Sequence, residues 1–300
     1  MPDWYGKGKD ENDSLDAKRK KLPFQSRRSP ILCRNGCVAT SQPLASTIGL
    51  NILQSGGNAA DASIAIAAAL AVLEPCSTGL GGDMFALVYD AKEKAVRAVN
   101  GSGRSANELT LEYVEEWASS LVGPDGDIKE AFTSSAHAVT VPGAASGWEA
   151  MYEKFGSGVL SFYELLEPAA MLAEEGFPVA PVTAQYWKSA FYQLSRWVDG
   201  DDEVSNIELS IDGKAPEAGE IFQNLGMARV LRDLGKLGSK KGFYEGFTGE
   251  RIVAAVRRNG GLMTLDDLAN HETTFPDPVC VDYREKKLWQ VPPNGRFGLS

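Results

Sequence analysis

Ser55-Gly56-Gly57-Asn58-Ala59-Ala60-Asp61-Ala62, Thr78-Gly79-Leu80-Gly81-Gly82-Asp83 and Gly101-Ser102-Gly103-Arg104 punctuate one Gly/Ala-rich block that runs from Gly36 to Arg104. Three backbone-permissive turns separate apolar elements, and a guanidinium follows the last turn. Glycine recurs where a chain needs positive φ or the close approach of another backbone, so this spacing describes a folded site rather than a flexible linker. Before the first turn, Leu44, Ile48 and Leu53 predict an amphipathic helix over Pro43 to Gln54, stopped by Gly56-Gly57. After it, Asn58 is a suitable N-cap, Asp61 lies in the first turn where negative charge suits the helix dipole, and the alanines up to Leu73 favour helix. That run is apolar on almost every face, which predicts a buried helix ending at Pro75.

Working outward, Met84 to Tyr89 and Ala95 to Val99 read as two strands of a hairpin joined by the polar turn Asp90 to Lys94. Helices follow at Leu109 to Ser119, Ala144 to Lys154, Phe162 to Glu175, Val182 to Arg196, Leu225 to Leu234 and Glu250 to Arg258. Gly156, Gly176, Gly235 and Gly260 are read as helix stops. Strands are expected at His137 to Val141, Val279 to Tyr283 and Lys287 to Val291, and residues 198 to 220 as a surface excursion. The pattern is α/β in composition, of the α+β kind.

The chain has 300 residues, 43% of them hydrophobic, enough to bury one large core. A polar tail over residues 1 to 30 is expected ahead of a single region, 31 to 300. The formal net charge of −10 argues against nucleic acid as a partner. The basic run Lys18-Arg19-Lys20-Lys21 with Arg27 and Arg28 reads as part of the solvated tail. Nothing near Met1 has the apolar core of a secretory signal, and Ala62 to Leu73 is far shorter than the roughly 20 residues that span a bilayer. A cytoplasmic protein with no membrane partner is the expectation. Cys33, Cys37, Cys76 and Cys280 are too scattered for a disulfide scaffold and are expected to be reduced. Cys33 and Cys37 would have only His137 and His271 as imidazole partners for a metal, both distant in sequence, so neither metal nor cofactor is expected.

Gly101-Ser102-Gly103-Arg104-Ser105-Ala106 matches the glycine fingerprint of dinucleotide-binding folds, which would make the chain a nucleotide-dependent oxidoreductase. The preceding strand is a hairpin arm rather than the buried first strand of a βαβ unit, which argues against that reading. Arg104 suggests other chemistry: a guanidinium is a rigid fork that pairs bidentately with a carboxylate, the alternative being a structural ion pair. Gly81 and Gly82 read as an architectural turn that lets helix pack closely on sheet, with Asp83 as a cap or ion-pair partner. Val141-Pro142-Gly143-Ala144 with Gly147-Trp148 reads as a strand turning into a helix.

The order of these motifs, from about Gly36 to Asn294, resembles the γ-glutamyltranspeptidase (glutathione hydrolase) family of the N-terminal-nucleophile (Ntn) hydrolases. Secreted transpeptidases carry Arg-Glu-x-Ala-Pro where this chain has Arg104-Ser105-Ala106-Asn107, so it looks closest to the cytosolic branch that includes oxamate-amidohydrolase-like members. The resemblance implies an αββα sandwich whose two sheets draw strands from both halves of a precursor. It implies that Arg104 binds the α-carboxylate of a γ-glutamyl group, near the turns at Gly81, Gly82, Gly101 and Gly103. It also implies self-cleavage before a threonine, whose hydroxyl attacks the amide while its own α-amine serves as base. Thr264, Thr273 and Thr274 do not sit in the family's Thr-Thr-His setting, Gly295 to Ser300 leave its pattern, and the nucleophile would fall beyond Ser300. No catalytic residue is therefore expected in this chain. It reads as the large-subunit half of an amidohydrolase, whose partners are a small amide or γ-glutamyl substrate and a C-terminal small-subunit half. The alternative is a non-catalytic truncated homologue or binding module. On the first reading, sheet edges and apolar faces should stand open.

Overall fold

The computed structural model describes residues 29–121, 128–133, 135–195 and 208–292. The basic run in the tail, the first half of the excursion at 198–220 and the stretch from Gly295 to Ser300 lie outside the described residues. Internal contacts divide the chain into Met1–Asn35 and Gly36–Ser300. In the first unit, residues 29–35 are exposed.

The second unit begins with the two expected helices, α1 (Pro43–Gln54) and α2 (Ala59–Leu73). Gly56 turns the chain between them at φ 95°, a left-handed conformation that side chains with a Cβ resist. Asn58 caps α2 as its sequence predicts. Its side-chain oxygen accepts from the Ala60 and Asp61 amides at 2.8 and 3.1 Å, and the Asp61 carboxylate reaches back to the Asn58 amide at 2.9 Å. Asp61 is fully buried and also accepts from the Ser157 amide at 3.1 Å, tying α2 to the end of a later helix. Ten of the fifteen residues of α2 are buried, so the helix is core on nearly all sides.

The hairpin follows, with β1 (Met84–Asp90) antiparallel to β2 (Ala95–Gly101) in a register that pairs Met84 with Gly101 and Asp90 with Ala95. Asp90 closes its turn by accepting from the Lys92 and Glu93 amides at 2.7 and 3.1 Å. Beyond it, α3 (Leu111–Leu121) and the short α4 (Ile128–Thr133) lead to a correction. The expected strand at His137 to Val141 begins instead as a 3-10 turn, Ala136–Ala138, capped by the Ser135 hydroxyl. The cause is burial of the His137 ring, which Tyr113 and Trp117 contact edge-on at 5.4 and 4.7 Å between centroids. Val141 then bonds to a loop carbonyl, not to a strand.

Helices α5 (Ala144–Phe155) and α6 (Phe162–Glu175) pack on α2. The two-residue pair β3 (Phe177–Pro178) and β4 (Ile221–Phe222) brackets α7 (Pro181–Ser195), whose Trp187 meets the Phe222 ring at 4.7 Å. Next, α8 (Leu225–Ser239) runs through Gly235, where a stop was expected. A Cβ there would lie 2.9 Å from the Tyr163 Cα, so this glycine admits α6 instead of ending the helix. A π-turn at Lys240–Tyr244 leads into α9 (Gly246–Arg258), and α10 (Leu265–Ala269) carries its own capping box from Thr264 and Asp267. The closing hairpin is β5 (Val279–Tyr283) with β6 (Lys286–Gln290).

The fold is α+β, and among the described residues its sheets are three two-stranded ladders. Apolar side chains stand open on two of them: Phe85, Leu87 and Tyr89 on β1, and Val279, Val281, Tyr283 and Leu288 on the closing hairpin. No helix among the described residues is long and apolar enough to cross a membrane.

Candidate substrate-carboxylate site

The glycine motifs separated along the chain meet at the C-terminal end of β2. The Gly82 carbonyl accepts from both the Gly143 and Ala144 amides at 3.0 Å, so the Thr78 to Asp83 turn satisfies amides at the start of α5 that no side chain caps. The neighbouring Asp83 carboxylate accepts from the Gly103 amide at 3.0 Å and the Ser102 hydroxyl at 3.3 Å. Asp83 is therefore the cap of the Gly101 to Arg104 turn. Arg104 is fixed in turn through its backbone, its carbonyl accepting from the Val141 amide at 2.9 Å.

Close approach explains Gly103. A Cβ on it would fall inside the Val141 carbonyl and lie 3.2 Å from the Thr140 Oγ1, although its φ is not positive. Gly101 and Gly143 pack on one another in the same way. Gly81 is different. Nothing lies within 4 Å of the position its Cβ would take, and Gly82 meets only the Gly79 carbonyl at 3.7 Å. Close helix-on-sheet packing, the reason expected for these two glycines, is not what the structure uses them for; Gly82 serves through its carbonyl.

With its backbone held, the Arg104 side chain is exposed, and among the described residues it makes no hydrogen bond or ion pair. Its electrostatic surroundings come from residues that sequence spacing did not single out for this site. The segment after α10 is drawn alongside β2: Thr274 and Asn100 exchange backbone bonds at 2.8 and 3.0 Å, and the Thr273 hydroxyl meets Ser146 at 2.8 Å. This places the His271 imidazole where Arg104, Asp83 and Glu272 all act on it. The Tyr244 ring lies 5.6 Å from the His271 ring, and its hydroxyl donates to the Pro142 carbonyl at 2.7 Å and accepts from the Ser146 amide at 3.2 Å. Burial pushes the Tyr244 phenol well above its usual range, so it stays neutral. The only sequence signal for these residues would have been the Thr264-x-x-Asp267 capping box, which marks α10 and so the start of the segment.

The arrangement presents a guanidinium with no ion-pair partner among the described residues, on a turn held by hydrogen bonds, a geometry suited to bidentate recognition of a carboxylate. The preceding strand is the second arm of a hairpin, so the glycine turn is not the strand-to-helix step of a dinucleotide site.

Known proteins share this architecture. A family model described as Gamma-glutamyltranspeptidase matches residues 45–299. The glutathione hydrolase-like YwrD proenzyme of Bacillus subtilis is 37% identical over 260 residues, 86% of this chain and 46% of the relative. Among solved structures, γ-glutamyltranspeptidase of Helicobacter pylori superposes with a TM-score of 0.77 at 28% identity, over 89% of this chain and 72% of that one. Cephalosporin acylase of Bacillus halodurans gives 0.79 at 38% identity, over 92% of this chain and 49% of that one. The chain thus spans about half the length of the curated relatives it matches, 46% in the case above. The fold is that of the Ntn hydrolases, in the large-subunit part of their chains. The chain belongs to the γ-glutamyltranspeptidase family.

Proposed function

We propose that this chain supplies the substrate-gripping part of an Ntn amidohydrolase, with Arg104 binding the carboxylate of a γ-glutamyl or other small acidic amide. The observation that carries the reading is a guanidinium unpaired among the described residues, on a turn held by backbone bonds and by the Asp83 and Asn100 side chains. The nucleophile comes from the half of the precursor that the relatives carry beyond the matched region. There a threonine hydroxyl attacks the amide carbonyl and the α-amine of the same residue takes its proton. The acyl-enzyme that forms is stabilised by oxyanion donors and resolved by water or an acceptor amine. Arg104 contributes orientation, holding the acyl group so that the scissile carbonyl faces the nucleophile. The open apolar row on β1 and the exposed closing hairpin support this division, since they are surfaces that a second half would cover. The cytosol is the place of action that goes with this proposal.

The test is reconstitution. The chain is produced with and without the remaining half of its precursor, and turnover of a γ-glutamyl anilide and of oxamate is measured. The reading expects activity only with both parts, and a KM raised by about 10- to 150-fold in Arg104→Gln, the loss of a charge-assisted pair. Turnover by this chain alone would overturn it.

A further inference from the structure

The Tyr244 hydroxyl makes its two hydrogen bonds where α5 cannot cap itself. The first turn of a helix carries amides with no partner inside the helix, and a side chain at the N-cap ordinarily accepts from one of them. Here the N-cap is Gly143, which has no side chain to offer. It must be glycine, because a Cβ at this position would fall on the Gly101 carbonyl. The close packing of these two glycines therefore strips α5 of a local cap. The Gly82 carbonyl takes the Gly143 and Ala144 amides at 3.0 Å, and the Ser146 amide goes to the Tyr244 hydroxyl at 3.2 Å, 98 positions further on. The same hydroxyl donates to the Pro142 carbonyl at 2.7 Å, so one buried side chain spans both sides of Gly143. Tyr244 is held against α5 from its other side as well. It ends the π-turn Lys240–Tyr244, and Ser239, just before that turn, donates its amide to the Glu149 carboxylate at 2.8 Å and its hydroxyl to the same group. The π-turn is thus fastened at both ends to one helix, at Glu149 in its middle and at Ser146 in its first turn.

We propose that Tyr244 is a positioning residue for Arg104: it caps α5 from a distance and so fixes residues 141–143, on which the turn that carries the arginine rests. The inference rests on the carboxylate-clamp reading above and deepens it by naming a group that sets the affinity of the clamp. The connection is short. Pro142 stands between Val141, whose amide donates to the Arg104 carbonyl at 2.9 Å, and Gly143, which packs on Gly101. Both ends of the Gly101 to Arg104 turn therefore lean on the segment that the hydroxyl holds. Removing the hydroxyl frees the Pro142 carbonyl and leaves the Ser146 amide without its acceptor, and a buried amide finds a new partner only if the first turn of α5 moves. The guanidinium turn moves with it. The cost is bounded, because Tyr244 acts on the carboxylate only through the guanidinium. Loss of the hydroxyl cannot weaken the ligand more than loss of the guanidinium does.

The experiment measures the dissociation constant of L-glutamate by calorimetry on the full chain, as parent, Tyr244→Phe, Arg104→Gln and the double variant, each well below its melting temperature. Phenylalanine keeps the ring and deletes only the hydroxyl. Tyr244→Phe should weaken binding by about 3- to 10-fold, a part of the loss of about 10- to 150-fold expected of Arg104→Gln. It should add nothing in the Arg104→Gln background, the non-additivity of two residues that work as one device. Trp187→Phe controls for a loss that is only structural: it gives up the bond from the indole to the Leu209 carbonyl at 3.0 Å, on α7, and should bind L-glutamate as the parent does. Ser239→Ala loosens the opposite fastening of the π-turn and should weaken binding by about 2- to 5-fold, which decides the matter if Tyr244→Phe does not fold. Parent-like affinity in Tyr244→Phe, or in Ser239→Ala where the first variant is unfolded, overturns the inference while the clamp stands. An equal loss from Tyr244→Phe in the Arg104→Gln background, or a matching loss in Trp187→Phe, overturns it too. Parent-like affinity in Arg104→Gln removes the clamp and the inference together.

Discussion

Gly103→Ala puts the geometry of the site to a severe test, because the residue is glycine for reasons of contact and not of backbone angle. The added methyl would overlap the Val141 carbonyl, so the Gly101 to Arg104 turn must lift away from residues 140–141. Two bonds are then at risk: Val141 amide to Arg104 carbonyl at 2.9 Å, and Gly103 amide to the Asp83 carboxylate at 3.0 Å. A neutral bond contributes about 0.5–1.5 kcal/mol and one to a charged group about 1.5–3 kcal/mol, the latter near its lower end here because Asp83 is exposed. The expected loss is about 2–3 kcal/mol, or roughly 4–12 °C in Tm for a domain of this size. Gly81→Ala is the matched control. Its Cβ enters open space at an ordinary φ, so it should be neutral or stabilising by about 0.4–1 kcal/mol. Urea unfolding followed by tryptophan fluorescence compares the two variants. If Gly103→Ala proves as stable as Gly81→Ala, the packing of the turn on residues 140–141 is wrong and Arg104 is not held where the account puts it.

Three further outcomes are expected. Asp61→Ala removes the acceptor of the Asn58 and Ser157 amides at a fully buried position and should cost about 2–4 kcal/mol, read from the same unfolding curves; a loss under about 1 kcal/mol would contradict the link between α2 and α5. Tyr244→Phe leaves the Ser146 amide without its acceptor and should destabilise by about 1–3 kcal/mol, a ΔΔG near zero counting against the Tyr244 anchor. His137 is held neutral by burial, its pKa below the unfolded value near 6.5, so its contribution is complete above pH 6.5 and lost as pH falls toward the folded pKa. The parent chain should therefore lose more stability between pH 7 and pH 5 than His137→Phe does, which pH-dependent melting measures directly.

Local structure was legible in the sequence where a short-range cause controls it. The Asn58 cap with Asp61 in the first turn, the hairpin joined by Asp90 to Lys94, and the ends of α5 and α6 at Gly156 and Gly176 all follow from neighbours a few residues apart. It misled where tertiary packing decides. His137 to Val141 alternates like a strand, but the Tyr113 and Trp117 rings bury His137 and curl its first residues into a 3-10 turn. Gly235 resembles a stop, but the approach of Tyr163 makes it a contact point inside α8. The helices α4 and α10, at six and five residues, are too short to show a period, though the Thr264-x-x-Asp267 box marks the second. The candidate site was legible in part for a related reason. Arg104 announces itself through its glycine turn, whereas His271, Tyr244 and Ser146 come together only because Thr274 pairs with Asn100 across more than 170 positions of chain.

Equilibrium binding of two ligands by the parent chain and Arg104→Gln is the most direct measurement of the central claim, that a fixed and otherwise unpaired guanidinium grips a carboxylate. The ligands are L-glutamate and its α-alcohol analogue, which lacks the α-carboxylate. The account predicts that the substitution weakens L-glutamate by about 10- to 150-fold and leaves the alcohol unaffected. Equal affinities of the two proteins for L-glutamate would contradict it.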